Sequence, residues 1–228
     1  MKLHFDPVHD RGKILKLVIG NKNYSSWSLR AWLALAVTGA DFEEILIQLD
    51  TPHMKADIAR YSPAGRVPVL IDDGLSIWDS LAIIEYLADK FPAAGLWSED
   101  SRVRAIQRSV SAEMHSGFMA LRAYYPMNMR HRSTDRPATP EVQADIDRIC
   151  SLWRQALSGK PEGGPFLFGR FSGADAMFAP VVSRLSSYAV PVEPAIQTYM
   201  DSVRAHPKFR LWETAGVAET WVLESEEV

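Results

Sequence analysis

The sequence changes its hydrophobic pattern once, near Pro92, and this change limits the folds that the chain can adopt. Before Pro92, short apolar runs alternate with segments whose apolar residues have helical spacing. After Asp100 only helical spacing is found, in segments near 102–130, 141–158, 173–189 and 194–204. This pattern predicts an N-terminal α/β domain at 14–92, a linker at 93–100 and an all-helical domain at 101–228. A chain of 228 residues is long enough for both domains.

The first part of the α/β domain predicts two parallel strands joined by a helix. The apolar run ILKLVIG, which begins at Ile14, is typical of a strand buried on both faces. Residues 42–49, FEEILIQL, predict the second strand. Between them, four apolar residues are spaced to share one helix face: Leu29, Trp32, Leu33 and Ala36. A helix between two parallel strands requires a right-handed crossover.

A hairpin and a helix complete this domain. The β-rich runs VPVLI and LSIW flank Asp72-Asp73-Gly74, and an Asp-Gly turn between such runs indicates a hairpin. A weak helical signal near Ile58 precedes the hairpin, and the segment DSLAIIEYLADKF forms an apolar helical stripe that ends at Pro92. The order βαβαββα predicts a sheet with helices on both sides, a thioredoxin-like arrangement.

Composition and charge exclude several classes of function. A net charge of −3 gives no overall field for binding nucleic acid. The single cysteine, Cys150, excludes an intramolecular disulfide, and the six histidines show no metal-ligand spacing, so no metal is expected. No apolar run approaches the roughly eighteen residues that span a bilayer, so we expect no membrane partner and a cytoplasmic location. Residues 1–13 show no periodicity and are expected to form a flexible arm.

Motifs in both halves resemble the cytosolic glutathione S-transferase family. The segment SPAGRVPVLIDDGLSIWDSLAIIEYL is similar to that family's glutathione-binding half, and SSWSLRAWLAL resembles the start of the first helix in the zeta class. In the second half, FSGADAMFAPVVSRL is similar to the family in a more general way. The resemblance implies a GST-like fold, glutathione as co-substrate and a homodimer. One departure is Trp27, which stands where the zeta class has cysteine.

The paired serines at the start of the first helix are the candidate catalytic residues. A hydroxyl donor and the positive end of a helix dipole both favour a thiolate over a thiol. By resemblance Ser25 is the first choice as thiolate partner, and Ser26 is the alternative. We expect one hydroxyl to face the sulfur and the other to cap the helix.

The resemblance also implies which residues bind glutathione. The Val67-Pro68 bond should be cis, with the valine backbone pairing with the cysteinyl backbone of glutathione. Ser80, at a helix N-terminus, suits the γ-glutamyl carboxylate, and Asp79 would face the ligand's ammonium group while also serving as an N-cap. Arg66 is a candidate for the glycyl carboxylate, and His53 is a weaker candidate.

Two further sets of residues are assigned in the helical domain. Ser172-Gly173-Ala174-Asp175 matches a capping box, so Asp175 should matter for stability rather than for chemistry. The electrophile pocket is expected on the first long helix, which would face the thiol. Its candidate residues are Met114, His115, Phe118, Tyr124 and Tyr125.

These assignments favour a serine-type glutathione transferase that attacks a small hydrophobic electrophile. The alternatives are a zeta-like, glutathione-dependent cis-trans isomerase, as in maleylacetoacetate isomerase, and a non-catalytic glutathione- or ligand-binding protein on the same fold. A glutaredoxin-like thiol exchange protein is disfavoured because no cysteine lies near the first helix.

Overall fold

The computed structural model describes residues 14–160 and 163–228, so the expected arm at 1–13 lies outside the described residues. The first half contains a four-stranded sheet and three helices. They follow in the order β1 (Leu15–Ile19), α1 (Ser26–Thr38), β2 (Phe42–Leu46), α2 (Met54–Ala59), β3 (Val69–Asp72), β4 (Leu75–Ile77) and α3 (Ser80–Lys90). This is the predicted βαβαββα order, and the thioredoxin-like fold class is confirmed.

The sheet has the strand order β2-β1-β3-β4. Strands β1 and β2 are parallel, as a crossover through α1 requires, and β3 is antiparallel to both β1 and β4. The β3–β4 hairpin turns at Asp73 and Gly74, both with positive φ. This left-handed backbone explains why the turn needs glycine at one position.

The second half is helical. Its helices are α4 (Ser101–Ser116), α5 (Met119–Tyr124), α6 (Pro140–Gly159), α7 (Gly173–Ser187), α8 (Pro194–Ala205) and α9 (Pro207–Ala218). Short 3-10 turns occupy Pro92–Ala94 and Glu224–Glu226. The domain division at 93–100 stays a prediction, although α3 ends at Lys90 and α4 begins at Ser101.

The expected single helix near 102–130 is wrong. The chain leaves the helix at Gly117, and Phe118 takes a left-handed backbone with φ of 61° before α5 begins. A non-glycine residue in this conformation ends the regular hydrogen-bond pattern of α4. Helix α9 was not expected from the sequence pattern.

A large apolar core joins the two halves of the chain. It includes Leu17 in β1, Leu33 in α1, Ile84 in α3 and Phe178 in α7, all with no exposed surface. A smaller core on the other face of the sheet packs Val18 and Val69 against Ile58 of α2. Because α1 lies inside the larger core, its N-terminus is held at the junction of the two halves.

The start of α7 is built around the buried carboxylate of Asp175. It accepts hydrogen bonds from the backbone N–H groups of Leu167 at 3.1 Å and Ser172 at 2.8 Å, and from the Ser172 hydroxyl at 2.8 Å. The capping box predicted from Ser172 and Asp175 is therefore present. Burial raises the pKa of Asp175 to about 6, against the opposing effect of these hydrogen bonds.

We predict that Asp175→Ala lowers the free energy of unfolding by about 2–4 kcal/mol, because it leaves buried donors without a partner. Urea denaturation measures the loss. The matched control is Asp100→Ala, which removes an exposed N-cap carboxylate that also accepts from two backbone N–H groups. The control variant should lose much less stability, because water can replace that carboxylate.

The difference between the parent and Asp175→Ala should also depend on pH. The folded state keeps a proton on Asp175 that the unfolded chain releases near its ordinary pKa of 3.8. The contribution of Asp175 to stability therefore falls as pH rises from about 4 to about 6. A difference that widens with pH over this range would contradict the burial argument.

Candidate functional site

The start of α1 presents two serines with different hydrogen bonds. Ser25 is the N-cap: its side chain accepts from the backbone N–H of Ser28, and its hydroxyl donates to the Ser28 hydroxyl at 2.7 Å. The Ser28 hydroxyl also accepts from the N–H of Gly20 at 3.0 Å, which fixes it against the end of β1. The Ser26 hydroxyl makes no hydrogen bond to any described residue. The cap is therefore Ser25, whereas the choice of Ser25 as thiolate partner had implied that Ser26 caps the helix.

A cleft of about 440 Å³, which we call the Pro68 cleft, lies at the junction of the two halves. Its wall comes from α1, the loop before β3, the start of α3 and α4. The lining residues are Trp27, Ala64, Arg66, Val67, Pro68, Trp78, Asp79, Ser80 and His115. Five of the residues predicted to bind glutathione, and one predicted for the electrophile, thus share one cleft.

The peptide bond between Val67 and Pro68 is cis, as the resemblance implies. Pro68 precedes β3 and cannot donate a ladder hydrogen bond. Val67 lies outside the strands and helices. Neither its N–H nor its C=O forms a hydrogen bond with another backbone group of residues 14–160 and 163–228. These backbone groups lie in the wall of the cleft and are available to an extended ligand.

The start of α3 adds a second set of polar groups to the Pro68 cleft. The Asp79 carboxylate accepts from the backbone N–H of Leu81 at 2.9 Å and is the N-cap. Ser80 is fully buried, and its hydroxyl has no partner among the described residues. A buried hydroxyl without a partner, at a helix N-terminus, is suited to an anionic ligand group.

His115 lies in the Pro68 cleft rather than with the other residues predicted for the electrophile. Its Nε2 atom is 3.1 Å from an Asp79 oxygen, and its ring meets the indole of Trp27 edge-on, with 5.2 Å between ring centroids. A side chain from α4 therefore contacts two residues of the first half.

Arg66 and His53, which were also predicted to bind glutathione, lie in different places. Arg66 is exposed at the mouth of the cleft and forms no salt bridge with a carboxylate in the described part of the chain. His53 does not line the Pro68 cleft. It lies beside β2 and α2, in a separate cleft with Asp57 and Arg60.

A second cavity, of about 580 Å³, opens over the two serines, and we call it the serine pocket. It shares Trp27, Arg66 and Val67 with the Pro68 cleft. The far wall comes from α5, α7 and the C-terminal segment. The residues of that wall are Met119, Arg122, Ala123, Arg184, Leu223 and Glu226.

The expected electrophile pocket does not coincide with the serine pocket. Met114, Phe118 and Tyr125 are at least 93% buried in the large core, and Tyr124 packs on Tyr125 and lines neither cavity. The reason is the break after α4, which turns the following helix so that Met119, Arg122 and Ala123 face the serines instead.

Three arginines, which we call the arginine cluster, lie beside the serine pocket: Arg30, Arg122 and Arg184. Their guanidinium groups bond mainly to backbone carbonyls: Arg30 donates to Met177, and Arg184 donates to Tyr125. None of the three forms a salt bridge with a carboxylate of the described residues. Both terminal nitrogens of Arg30 are buried and have no partner there.

Burial of three positive charges near one another raises the electrostatic energy of the folded state. Burial lowers the pKa of all three guanidinium groups, and for Arg184 it does so to about 10. The charge of Arg122 adds to this effect on both Arg30 and Arg184. The ring of Trp27 lies 4.4 Å from the Arg30 guanidinium carbon and 4.9 Å from that of Arg122, so cation–π contact offsets part of the repulsion.

The arginine cluster could have been found from the sequence, because Arg30 and Arg184 interrupt apolar helical runs in α1 and α7. A charged residue in such a run is buried, and charged residues are rarely buried unless they have a structural or functional role. Glu226 had no comparable signal. Its position depends on the C-terminal segment, where the Tyr24 hydroxyl donates to Glu227 and Arg130 donates to the carbonyls of Glu219 and Trp221.

Within the described ranges, no helix combines the length and hydrophobicity needed to cross a bilayer. The same ranges contain no group of three or more His, Cys, Asp or Glu side chains placed to hold a metal ion. The fold and the two cavities together define a class: a thioredoxin-like domain followed by a helical domain, with polar groups converging where the two meet.

Comparison with known proteins identifies the family. Residues 24–90 match the glutathione S-transferase N-terminal domain, and residues 136–215 match the glutathione S-transferase C-terminal domain. A maleylacetoacetate isomerase of Mus musculus is 37% identical over 173 residues, which are 75% of this chain and 78% of that protein. The chain belongs to the glutathione S-transferase family.

Two further comparisons cover nearly the whole chain. A maleylacetoacetate isomerase of Pseudomonas aeruginosa is 28% identical over 214 residues, 90% of this chain and 99% of that protein. A crystal structure of a glutathione transferase homolog from Burkholderia gl BGR1, with bound glutathione, superimposes with a TM-score of 0.70 at 26% identity. That match covers 90% of this chain and 98% of the other.

Proposed function

We propose that this protein is a glutathione-dependent enzyme that binds glutathione in the Pro68 cleft and activates its thiol at the start of α1. The observation that carries the proposal is the convergence of unpartnered polar groups on one cleft: the backbone of Val67 and the buried hydroxyl of Ser80. The homolog from Burkholderia gl BGR1, which contains bound glutathione, supports it.

Each part of glutathione then has a partner of matching chemistry. The backbone of Val67 pairs with the cysteinyl backbone as an added strand would. The hydroxyl of Ser80 and the N-terminus of α3 bind the γ-glutamyl carboxylate, and Asp79 faces the ammonium group. Arg66, exposed at the cleft mouth, binds the glycyl carboxylate. This arrangement places the thiol toward the serine pocket, which shares Val67 with the cleft.

We predict that Ser80→Ala raises the Kd for glutathione about tenfold, because a hydrogen bond to a charged group is worth roughly 1.5–3 kcal/mol. Isothermal titration calorimetry measures the change. The melting temperature should hardly change, since the Ser80 hydroxyl has no partner to lose within the described structure. Ser109→Ala, on the exposed face of α4, is the control variant.

Two results would contradict the proposed glutathione site. If the parent protein gives no binding heat at millimolar glutathione, the Pro68 cleft does not hold this ligand. If the parent binds but Ser80→Ala binds equally well, glutathione lies elsewhere in the cleft.

The hydroxyl of Ser25 is the proposed thiolate donor. It donates to Ser28 in the described structure, but a hydroxyl both donates and accepts, and a thiolate is a stronger acceptor than a neutral hydroxyl. When sulfur lies beside Ser25, the Ser25 proton turns to the sulfur, and the Ser28 hydroxyl donates to Ser25 in its place. Ser28 thus keeps a partner while the helix dipole adds to the stabilisation.

We predict that Ser25→Ala raises the pKa of bound glutathione by about one to two, since each step of one corresponds to about 1.36 kcal/mol. The same variant should lose about 1 kcal/mol of stability, because Ser25 is also the N-cap. Activity near neutral pH falls and recovers as pH rises. Titrating the thiolate absorbance of bound glutathione checks the change.

Ser26→Ala is the matched control, because its hydroxyl is adjacent and has no hydrogen-bond partner in the described parts of the chain. A larger effect from Ser26→Ala than from Ser25→Ala would make Ser26 the donor. If neither variant changes the pKa of bound glutathione, the backbone N–H groups of α1 stabilise the thiolate instead.

The reaction proposed first is transfer of the glutathione thiolate to a small electrophile. Cis-trans isomerisation is the second candidate, and the arginine cluster favours it, because Arg122 and Arg184 put positive charge on the wall of the serine pocket. The pocket residues expected from the sequence did not include these two arginines. Maleylacetoacetate, for which the mouse and Pseudomonas aeruginosa relatives are named, carries carboxylates that such a wall would bind.

We predict that Arg184→Met lowers kcat/KM for maleylacetoacetate about tenfold or more and leaves that for a neutral aryl halide within about twofold, because only the first substrate loses a charge-assisted contact, whereas loss of the hydrogen bond to the Tyr125 carbonyl affects both alike. Steady-state rates with both substrates give the ratio. Arg148→Met is the control, since Arg148 is an exposed arginine paired with Glu113 on the surface. An equal fall with both substrates would show that Arg184 is structural.

The homodimer and the cytoplasmic location implied by the resemblance stay predictions. The exact reaction class, transfer or isomerisation, follows from the substrate comparison with Arg184.

A further inference from the structure

The Pro68 cleft contains one side chain from the helical half of the protein that the proposed glutathione contacts do not use. His115 is near the end of α4, and its Nε2 atom lies 3.1 Å from the second oxygen of Asp79. The first Asp79 oxygen accepts from the backbone N–H of Leu81. Both oxygens of the N-cap carboxylate are therefore held, each by a different half of the molecule.

The ring of His115 is itself held in place. Its edge meets the Trp27 indole at 5.2 Å between centroids, and its other nitrogen, Nδ1, is buried with no partner in the described chain. The Nε2 atom, 3.1 Å from the Asp79 oxygen, is within reach to donate a hydrogen bond when it carries the ring proton. The His115 side chain is 29% exposed and that of Asp79 is 44% exposed, and both residues line the cleft.

Without His115, the Asp79 carboxylate would have other positions available. Only one of its oxygens would stay bonded, to Leu81, and the side chain would be free to turn toward solvent or toward the buried charge of Arg30, whose pKa the Asp79 charge raises. The contact with His115 favours one rotamer of Asp79, in which the carboxylate still has lone pairs for a cationic ligand group.

We propose that His115 is a positioning residue for the γ-glutamyl end of glutathione: from α4 it fixes the carboxylate of Asp79 for the ligand's ammonium group. The proposal rests on the proposed function. It assigns the helical domain a part in recognising glutathione, in addition to supplying the electrophile wall.

The test compares glutathione with cysteinylglycine, which lacks the γ-glutamyl group, by calorimetric titration. His115→Phe keeps an aromatic ring against Trp27 but removes the donor to Asp79. We expect it to raise the Kd for glutathione about five- to tenfold and to leave the weaker binding of cysteinylglycine unchanged. His115→Gln, which retains an N–H donor, should restore most of the affinity for glutathione.

A double-mutant cycle with Asp79→Asn separates positioning from direct contact. If His115 acts through Asp79, His115→Phe should have little further effect once Asp79 is Asn. His131→Phe is the control, because His131 also contacts an aromatic ring and has a buried ring nitrogen without a described partner, yet lines neither cavity.

Each contrary result has a distinct meaning. Equal losses for glutathione and cysteinylglycine in His115→Phe would overturn the proposal, because they indicate general damage through Trp27. Unchanged glutathione binding in His115→Phe would also overturn it while leaving the proposed function intact. If the parent protein binds neither ligand, the proposed function fails first.

Discussion

The burial of α1 is the constraint on which both cavities depend. Leu29, Leu33 and Leu35 of this helix have no exposed surface, and Arg30 donates across the junction to the Met177 carbonyl of α7. Helix α1 is enclosed by the sheet on one side and by helices on the other. Its N-terminal end carries Ser25 and Ser26, which line the serine pocket, so the core fixes the position of these two hydroxyls.

The charge in the centre of this junction is costly. Desolvated arginines without a direct salt bridge in the described structure oppose folding, and burial lowers their pKa values more than the nearby charges of Asp79 and Glu226 raise them. The stacked indole of Trp27 and several backbone carbonyls reduce the cost without removing the positive potential. Retained positive potential beside a cavity is what an enzyme needs if its substrate brings a negative charge into that cavity.

Family resemblance identified the part of the Pro68 cleft that comes from one continuous segment, 66–80, but not the contributions of Trp27 and His115. The Asp-Gly turn fixes β3 and β4, and Asp79 and Ser80 follow directly as the cap and first residue of α3. Once the order of the strands is known, the positions of Asp79 and Ser80 in the fold follow from it. The cis state of the Val67-Pro68 bond came from family resemblance rather than from the residues themselves.

The serine pocket could not be predicted in the same way. The sequence placed Met114 and Phe118 on one long helix near 102–130, whereas the left-handed residue at 118 ends the regular pattern of that helix. The wall of the serine pocket combines α5, α7 and the C-terminal segment, and only tertiary packing brings these together. Which serine caps α1 likewise required the structure, in which the Ser25 side chain accepts from the backbone N–H of Ser28.

Trp27 lines both cavities, and this shared wall restricts how such an enzyme can evolve. A substitution at position 27 that suits a new electrophile also disturbs the histidine beside Asp79 and uncovers the guanidinium of Arg30. Met119 and Ala123 are exposed on α5 and line the serine pocket alone. A substitution on α5 at Met119 or Ala123 thus changes the serine pocket alone, whereas a substitution of Trp27 changes both cavities at once.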